Sequence, residues 1–263
     1  MRPKRELGQN FLIDDNILAV IGAAAELSAD DVVFEVGGGL GALSEYLASR
    51  VAHLHVVEID RSLAPALEQA LHPFAAASLH LADAARLDYG ALRPAPSKLV
   101  ANLPYGVAAT VLLKALEELP RLELSVAMAQ LEVARRLAAT PGSRDYGATS
   151  VLAQLSCEVD VLRAIARTVF HPVPNVASAL VRLRRVRPQA PPEVARLVHA
   201  GFAHRRKALP GSLALAAGAP AGVRERARSA LASLGHPPDA RAERLSPEDF
   251  RALADHLRQP GPG

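Results

Sequence analysis

Apolar positions along this chain fall into two alternating rhythms. Short β-branched runs stop abruptly at glycine or acid, and the longer stretches between them repeat at helical spacing. Residues 16–27 set Ile17, Leu18, Ile21 and Ala25 on one helical face. Val32-Val33-Phe34-Glu35-Val36 reads as a strand that halts at Gly37-Gly38-Gly39, and helical spacing resumes over 40–48. Further strand patterns cover 53–60, 78–83, 98–101 and 122–128, with helical patterns at 61–71, 107–119 and 132–139. This alternation predicts an α/β fold with a mostly parallel, doubly wound sheet and helices on both faces. Such sheets take their ligands at the carboxyl ends of the strands. The glycines, Glu58, Asp83 and Asn102 all fall there.

The rhythm changes after Asp160. Phe170-His171-Pro172-Val173-Pro174-Asn175 is a proline-set loop, and 176–183 alternates like a late strand. Residues 184–192 form a basic, proline-rich linker. Residues 192–258 are helical in pattern, with breaks expected at Pro210-Gly211, 218–222 and 235–238. The expected organisation is one domain over residues 1–187 and a small helical domain over 188–263.

Composition narrows the field. Half of the 263 residues are hydrophobic but only 4% are aromatic, so Ala, Leu and Val do most of the packing. Residues 1–167 carry 15 Lys and Arg against 20 Asp and Glu, whereas residues 168–263 carry 15 against 7. A basic second part points to an anionic partner such as nucleic acid. The single cysteine, Cys157, excludes an internal disulfide and a multi-cysteine metal site. No bound metal is expected. No segment approaches the length of a membrane span, and the expectation is a cytoplasmic, monomeric protein.

The glycine run alone leaves the chemistry open. Gly37-x-Gly39-x-Gly41 suits S-adenosylmethionine, and Gly37-x-Gly39-x-x-Ala42 also fits a dinucleotide fingerprint. Glu58, an acid about 20 residues on, holds a ribose in either case. Asp83 is placed to accept from an adenine amino group, or simply to cap the turn that follows it. Asn102-Leu103-Pro104-Tyr105, at the end of the fourth strand, reads from local pattern alone as a turn, and what separates the two chemistries is the family it resembles.

These motifs occur together, in order, in a known family. Gly8-Gln9-Asn10-Phe11-Leu12, residues 35–41, Glu58-Ile59-Asp60, Asp83-Ala84, Asn102-Leu103-Pro104-Tyr105, residues 170–178 and Phe202-Ala203-His204-Arg205-Arg206-Lys207 resemble the KsgA/RsmA family of rRNA adenine N6-dimethyltransferases. The resemblance covers nearly the whole chain. It implies a Rossmann-like class I methyltransferase domain that binds S-adenosylmethionine, followed by a helical domain in contact with RNA. It implies dimethylation of adenine N6 in small-subunit (16S) rRNA, within the small ribosomal subunit or its precursor. Gln9, Asn10, Leu12, Gly37, Gly39, Glu58, Asp83 and Asn102 would hold the cofactor. Asn102, Leu103, Pro104 and Tyr105 would orient the target amine, Tyr105 and Phe170 would sandwich the base, and Arg205, Arg206 and Lys207 would meet RNA phosphates.

The chain departs from the family pattern at a few places. Gly38 stands where proline is usual, Leu131 and Asn175 where lysine is usual, and Ala208-Leu209-Pro210-Gly211-Ser212 replaces a Thr-Leu-x-Asn-x continuation. Two other readings share the fold: a large-subunit rRNA methyltransferase of the macrolide-resistance type, and a non-catalytic RNA-binding assembly factor.

Overall fold

The computed structural model describes residues 3–4, 8–204 and 206–258. The chain packs as two compact units, one from residues 1–135 and 157–186, the other from 136–156 and 187–263.

The first unit is built on a seven-stranded sheet. Its strands, in chain order, are β2 (Val32–Val36), β3 (His53–Glu58), β4 (Ala77–Leu81), β5 (Lys98–Asn102), β6 (Leu124–Gln130), β7 (Cys157–Ile165) and β9 (Ser178–Arg185). Across the sheet they lie in the order β4-β3-β2-β5-β6-β9-β7. The first five are parallel, β9 runs antiparallel to them, and β7, antiparallel to β9, returns to their direction. Chain order runs outward from β2 to β4, then jumps back to β5, so a topological switch point lies between β2 and β5. A two-residue strand, β1 (Phe11–Leu12), pairs separately with β8 (Phe170–His171).

Helices α1 (Asp15–Ala24), α2 (Ala42–Ala48) and α3 (Ala64–Leu71) share one core cluster with Val33, Val56, Val100 and Val126. Successive strand residues face opposite sides. Phe34 therefore looks away from Val33 and meets Tyr89 edge-on, with ring centroids 4.7 Å apart. The same alternation puts Glu35 in the row of Val33, an acid within an apolar row. Helix α4 (Ala108–Glu118) ends beneath the Arg185 guanidinium, which donates to the Leu122, Leu116 and Leu119 carbonyls. The Leu119 carbonyl also takes the Leu122 amide at 3.0 Å, so Arg185 adds to the closure of the helix end and of the turn that follows.

The amino-terminal end of the sheet is closed by a polar cluster. The Lys98 ammonium lies 2.8 Å from the Asp31 carboxylate and also donates to the Glu26 carbonyl. Asp31 accepts the Ser28 amide at 2.6 Å and the Ser97 hydroxyl at 3.3 Å. Both charged side chains are buried, and each has its counter-charge.

The second unit is helical. It comprises α6 (Ala148–Gln154), α7 (Pro192–Phe202), α8 (Leu209–Leu213), α9 (Val223–Ser233) and α10 (Pro247–Arg258), and α5 (Leu131–Leu137) leads into it along the chain. Val151, Val198, Leu231 and Phe250 form the middle of its core. The buried Tyr146 hydroxyl donates to the Leu245 carbonyl at 2.8 Å.

Three features differ from the sequence expectation. Residues 136–156 pack with the second unit, because Tyr146, Val151 and Leu155 are buried in its core, so no single boundary falls at 187. Strand β7, absent from the sequence reading, forms one edge of the sheet with most of its side chains exposed. Pro210-Gly211 lies inside α8 rather than breaking it, since proline is tolerated in a first helical turn.

Candidate active site

Loops following β2, β3, β4 and β5, together with residues 8–12, enclose a cavity of about 430 Å3. It opens at the switch point of the sheet. Gln9, Asn10, Leu12, Gly37, Gly39, Glu58, Asp83 and Asn102 all line it, and so do Leu103, Pro104 and Tyr105.

The glycine loop comes close to β5. Gly37 has φ +82°, and a Cβ there would stand 3.5 Å from the Asn102 carbonyl oxygen. Gly39 has φ +59°, and a Cβ there would press on the Phe11 ring at 3.2 Å. Both conformations disfavour side chains. Glu58 pins the loop, accepting the Gly39 amide at 3.0 Å with one oxygen and the Asp60 amide at 2.8 Å with the other. Each oxygen keeps a lone pair for a ligand. Asp83 caps the turn that follows it, accepting the Ala85 amide at 2.9 Å, and also lines the cavity.

Asp60 holds the chain near its start instead of a ligand. Its carboxylate meets the Lys4 ammonium at 2.7 Å and the Gln9 side-chain amide at 2.8 Å. The Lys4 bond first, then the Ser62 hydroxyl, keep the Asp60 carboxyl well below the usual carboxylate range, against the effect of burial.

The amide of Asn102 is oriented by its surroundings. Its nitrogen lies 3.0 Å from the Asn10 carbonyl, which can only accept, so the NH2 side must face it. The side-chain oxygen then receives no bond from any described residue. Leu103 continues the strand ladder by donating to Met128 at 3.0 Å, and Pro104 gives its carbonyl to the Val107 amide at 3.1 Å. The Leu103 carbonyl is left without a donor among the described residues. The Tyr105 hydroxyl is tied to Ser178 at 2.7 Å, and burial raises its pKa.

Glu35 was not singled out by its sequence position. It is 1% exposed and lines the cavity, yet neither carboxylate oxygen has a hydrogen-bond partner among the described residues. Burial pushes its pKa up to about 8. The Ser44 hydroxyl stands near enough to oppose that rise, though without hydrogen-bond geometry, and the charge of Glu58 adds to it. The available signal was an acid set in a row of valines. Ile59 was also missed, although it lines the cavity beside Glu58 with half of its surface exposed.

The family description "Ribosomal RNA adenine dimethylase" matches residues 1–250. The chain belongs to the ribosomal RNA adenine dimethylase family. It is 50% identical over 255 residues to a ribosomal RNA small subunit methyltransferase A of Rubrobacter xylanophilus, covering 96% of this chain and 94% of the relative. A protein of the same name from Thermobifida fusca is 47% identical over 269 residues, covering 97% and 91%. Among solved structures, a dimethyladenosine transferase from Plasmodium falciparum superposes with a TM-score of 0.77 at 22% identity, over 92% of this chain and 95% of that one. The 23S rRNA methyltransferase ErmE gives 0.70 at 29% identity, over 95% and 100%.

Within this dimethylase fold, one expected site residue lies elsewhere. Phe170 is 1% exposed, packs in the core cluster and pairs with Leu12, so its ring is covered and does not line the cavity. Burying an aromatic ring of this size outweighs leaving it open at the mouth. Arg205 lies outside the described residues, whereas Arg206 and Lys207 are exposed in the second unit. At the departure Gly38, a Cβ would stand 2.5 Å from a Val56 methyl and 2.8 Å from a Leu67 methyl. Those side chains occupy the space that a larger residue at 38 would need. Among the described residues, no group of His, Cys, Asp and Glu could hold a metal ion, and no helix is long and apolar enough to cross a membrane.

Proposed function

We propose that this dimethylase transfers methyl groups from S-adenosylmethionine to the exocyclic N6 amine of adenines in small-subunit (16S) rRNA. The observation that carries the reading is the pair of unpartnered acceptors at the cavity mouth, the Asn102 side-chain oxygen and the Leu103 carbonyl. An adenine amine has two N–H groups and a lone pair delocalised into the ring. Two fixed acceptors hold both protons and aim the lone pair into the cavity, which favours a pyramidal nitrogen. Because the Pro104 carbonyl already serves Val107, Leu103 is the better backbone partner.

The cavity suits the donor. Glu58 has free lone pairs for ribose hydroxyls, Asp83 for the adenine amine, and exposed Ile59 for the ring face. The orphaned carboxyl of Glu35 matches a cationic amino-acid end. S-adenosylmethionine, when bound, supplies an electrophilic methyl on a sulfonium. No general base is needed, since the amine proton becomes acidic once methylated and can leave to solvent. Positioning supplies most of the rate. The Tyr105 ring, held at its hydroxyl by Ser178, stacks on the base, worth roughly 1–3 kcal/mol. Arg206 and Lys207, with the neighbouring Arg205, hold rRNA phosphates by charge.

The small subunit is favoured over the large one by the 50% identity with relatives named for the small subunit, against 29% with ErmE. The test is to incubate the protein with labelled S-adenosylmethionine and immature small subunits, mature small subunits or large-subunit rRNA, then map the methylated adenines. Label confined to small-subunit adenines is expected. Label on large-subunit rRNA alone, or none with RNA still bound, would overturn the reading.

A further inference from the structure

Glu35 is the one acid of the cavity whose oxygens are both buried and unpartnered among the described residues. An ionised carboxylate so placed would carry the desolvation cost of a buried charge with nothing to offset it. The groups facing it do not offset that cost: Ser44 of α2 is neutral and opposes it only in part, without hydrogen-bond geometry, and the charge of Glu58 of β3 adds to it. Asn102 of β5 is neutral, Asp83 is a further acid on the lining, and the Lys4 ammonium is taken up by Asp60.

We infer that Glu35 is a protonated carboxylic acid in the free protein and that donor binding drives its proton off, so that occupation of the cavity by a cationic ligand releases about one proton. This rests on the donor site proposed above. The balance is simple. The O–H bond of the Glu35 carboxyl breaks, the electron pair stays on oxygen, the proton passes to solvent buffer, and the carboxylate is stabilised by the positive charge of the ligand's ammonium. The burial that raises the Glu35 pKa to about 8 supports the protonated resting state. A ligand that brings its own positive charge reverses the preference, because an opposite charge at close range favours the ionised form. Donor affinity then rises with pH, approaching about tenfold per pH unit well below about pH 8, and turns over near pH 8, where the ligand's own amine begins to lose its proton.

The test is titration calorimetry of the full chain with S-adenosylmethionine at about pH 6.5, where the ligand's amine stays protonated. Buffers of different ionisation enthalpy are compared. The heat should vary with the buffer, with a slope of about one proton released. S-adenosylhomocysteine, which keeps the ammonium, should release the same proton. 5′-Methylthioadenosine, which lacks the amino-acid end, should bind without release. Infrared difference spectra should show a protonated carboxyl band in the free protein that disappears with donor and is missing from Glu35→Gln. Identical heats in all buffers, with binding intact, would overturn the proton coupling and leave the donor site standing. Equal release with 5′-methylthioadenosine would overturn the assignment to the ammonium. No binding of S-adenosylmethionine under any condition would overturn the donor site itself.

Discussion

The same two strands, β2 and β5, end in opposite ways. At their amino-terminal ends, Asp31 and Lys98 are buried and closed on each other, with Glu26, Ser28 and Ser97 filling the remaining hydrogen bonds. At their carboxyl ends, among the described residues, Glu35 is buried with no hydrogen-bond partner and the Asn102 side-chain oxygen and the Leu103 carbonyl receive no donor. One end has spent its polar groups on the fold, and the other keeps them for something the protein binds. A buried polar group costs stability unless it is paired. The contrast locates function without reference to any relative.

Breaking the closed end should give the largest effect. Lys98→Met leaves Asp31 buried beside no counter-charge and should destabilise the protein by about 3–5 kcal/mol, read by urea unfolding. Methyl transfer per folded molecule should be unchanged. Adding Asp31→Leu should recover much of the loss, and if the double variant is no better than the single, the pair is not an independent closed unit.

At the open end, Asn102→Ala should lower methyl transfer by about 10²- to 10³-fold. Stability and donor affinity should move far less. Equal losses in rate and affinity would assign Asn102 to donor binding rather than to orienting the amine.

Glu35→Gln should sharpen the comparison through pH. The folded pKa of about 8 lies above the ordinary value of 4.5, so protonation favours the folded state. The group's contribution is intact below about pH 4.5 and is lost as pH rises toward 8, at up to about 1.4 kcal/mol per pH unit. Burial lowers the pKa values of His53, His55 and His80 below their ordinary 6.5, so those residues act below that pH. Between about pH 6.5 and 8, wild type without donor should lose stability relative to Glu35→Gln. Parallel curves would show that Glu35 is already ionised. The smallest effect belongs to Tyr105→Phe. Losing the Ser178 contact costs about 0.5–1.5 kcal/mol, seen as a several-fold weaker KM for RNA with kcat nearly unchanged.

The parallel sheet and the cavity lining were legible in the sequence because strands of this kind end on conspicuous residues. Glycines, Glu58, Asp83 and Asn102-Leu103-Pro104-Tyr105 mark four strand ends without any tertiary information. What could not be read depends on partners distant in sequence. Glu58 and Asp60 look alike as a pair of acids, and only the fold gives one to the glycine loop and the other to Lys4 and Gln9. Glu35 and Asp31 are both acids flanking one apolar run, and only the fold shows that Lys98 reaches the second and that no described residue hydrogen-bonds the first. Strand β7 escaped notice because its exposed, mixed-polarity side chains lack the clean alternation of a half-buried strand. Phe170 was expected at the target base through the family resemblance alone, whereas pairing with β1 draws it inward.

The glycine at position 38 has a bearing on redesign and on ancestry. With the Val56 and Leu67 methyls already in the space beneath it, proline cannot return there as a single change, because the stiff Val56 side chain would have to give way. The family-typical residue is acceptable only where the side chains at 56 or 67 give up that space. Averaging this sequence toward its relatives one position at a time would therefore meet a barrier at the glycine loop. Two lineages that differ at 38 should be found to differ at 56 or 67 as well.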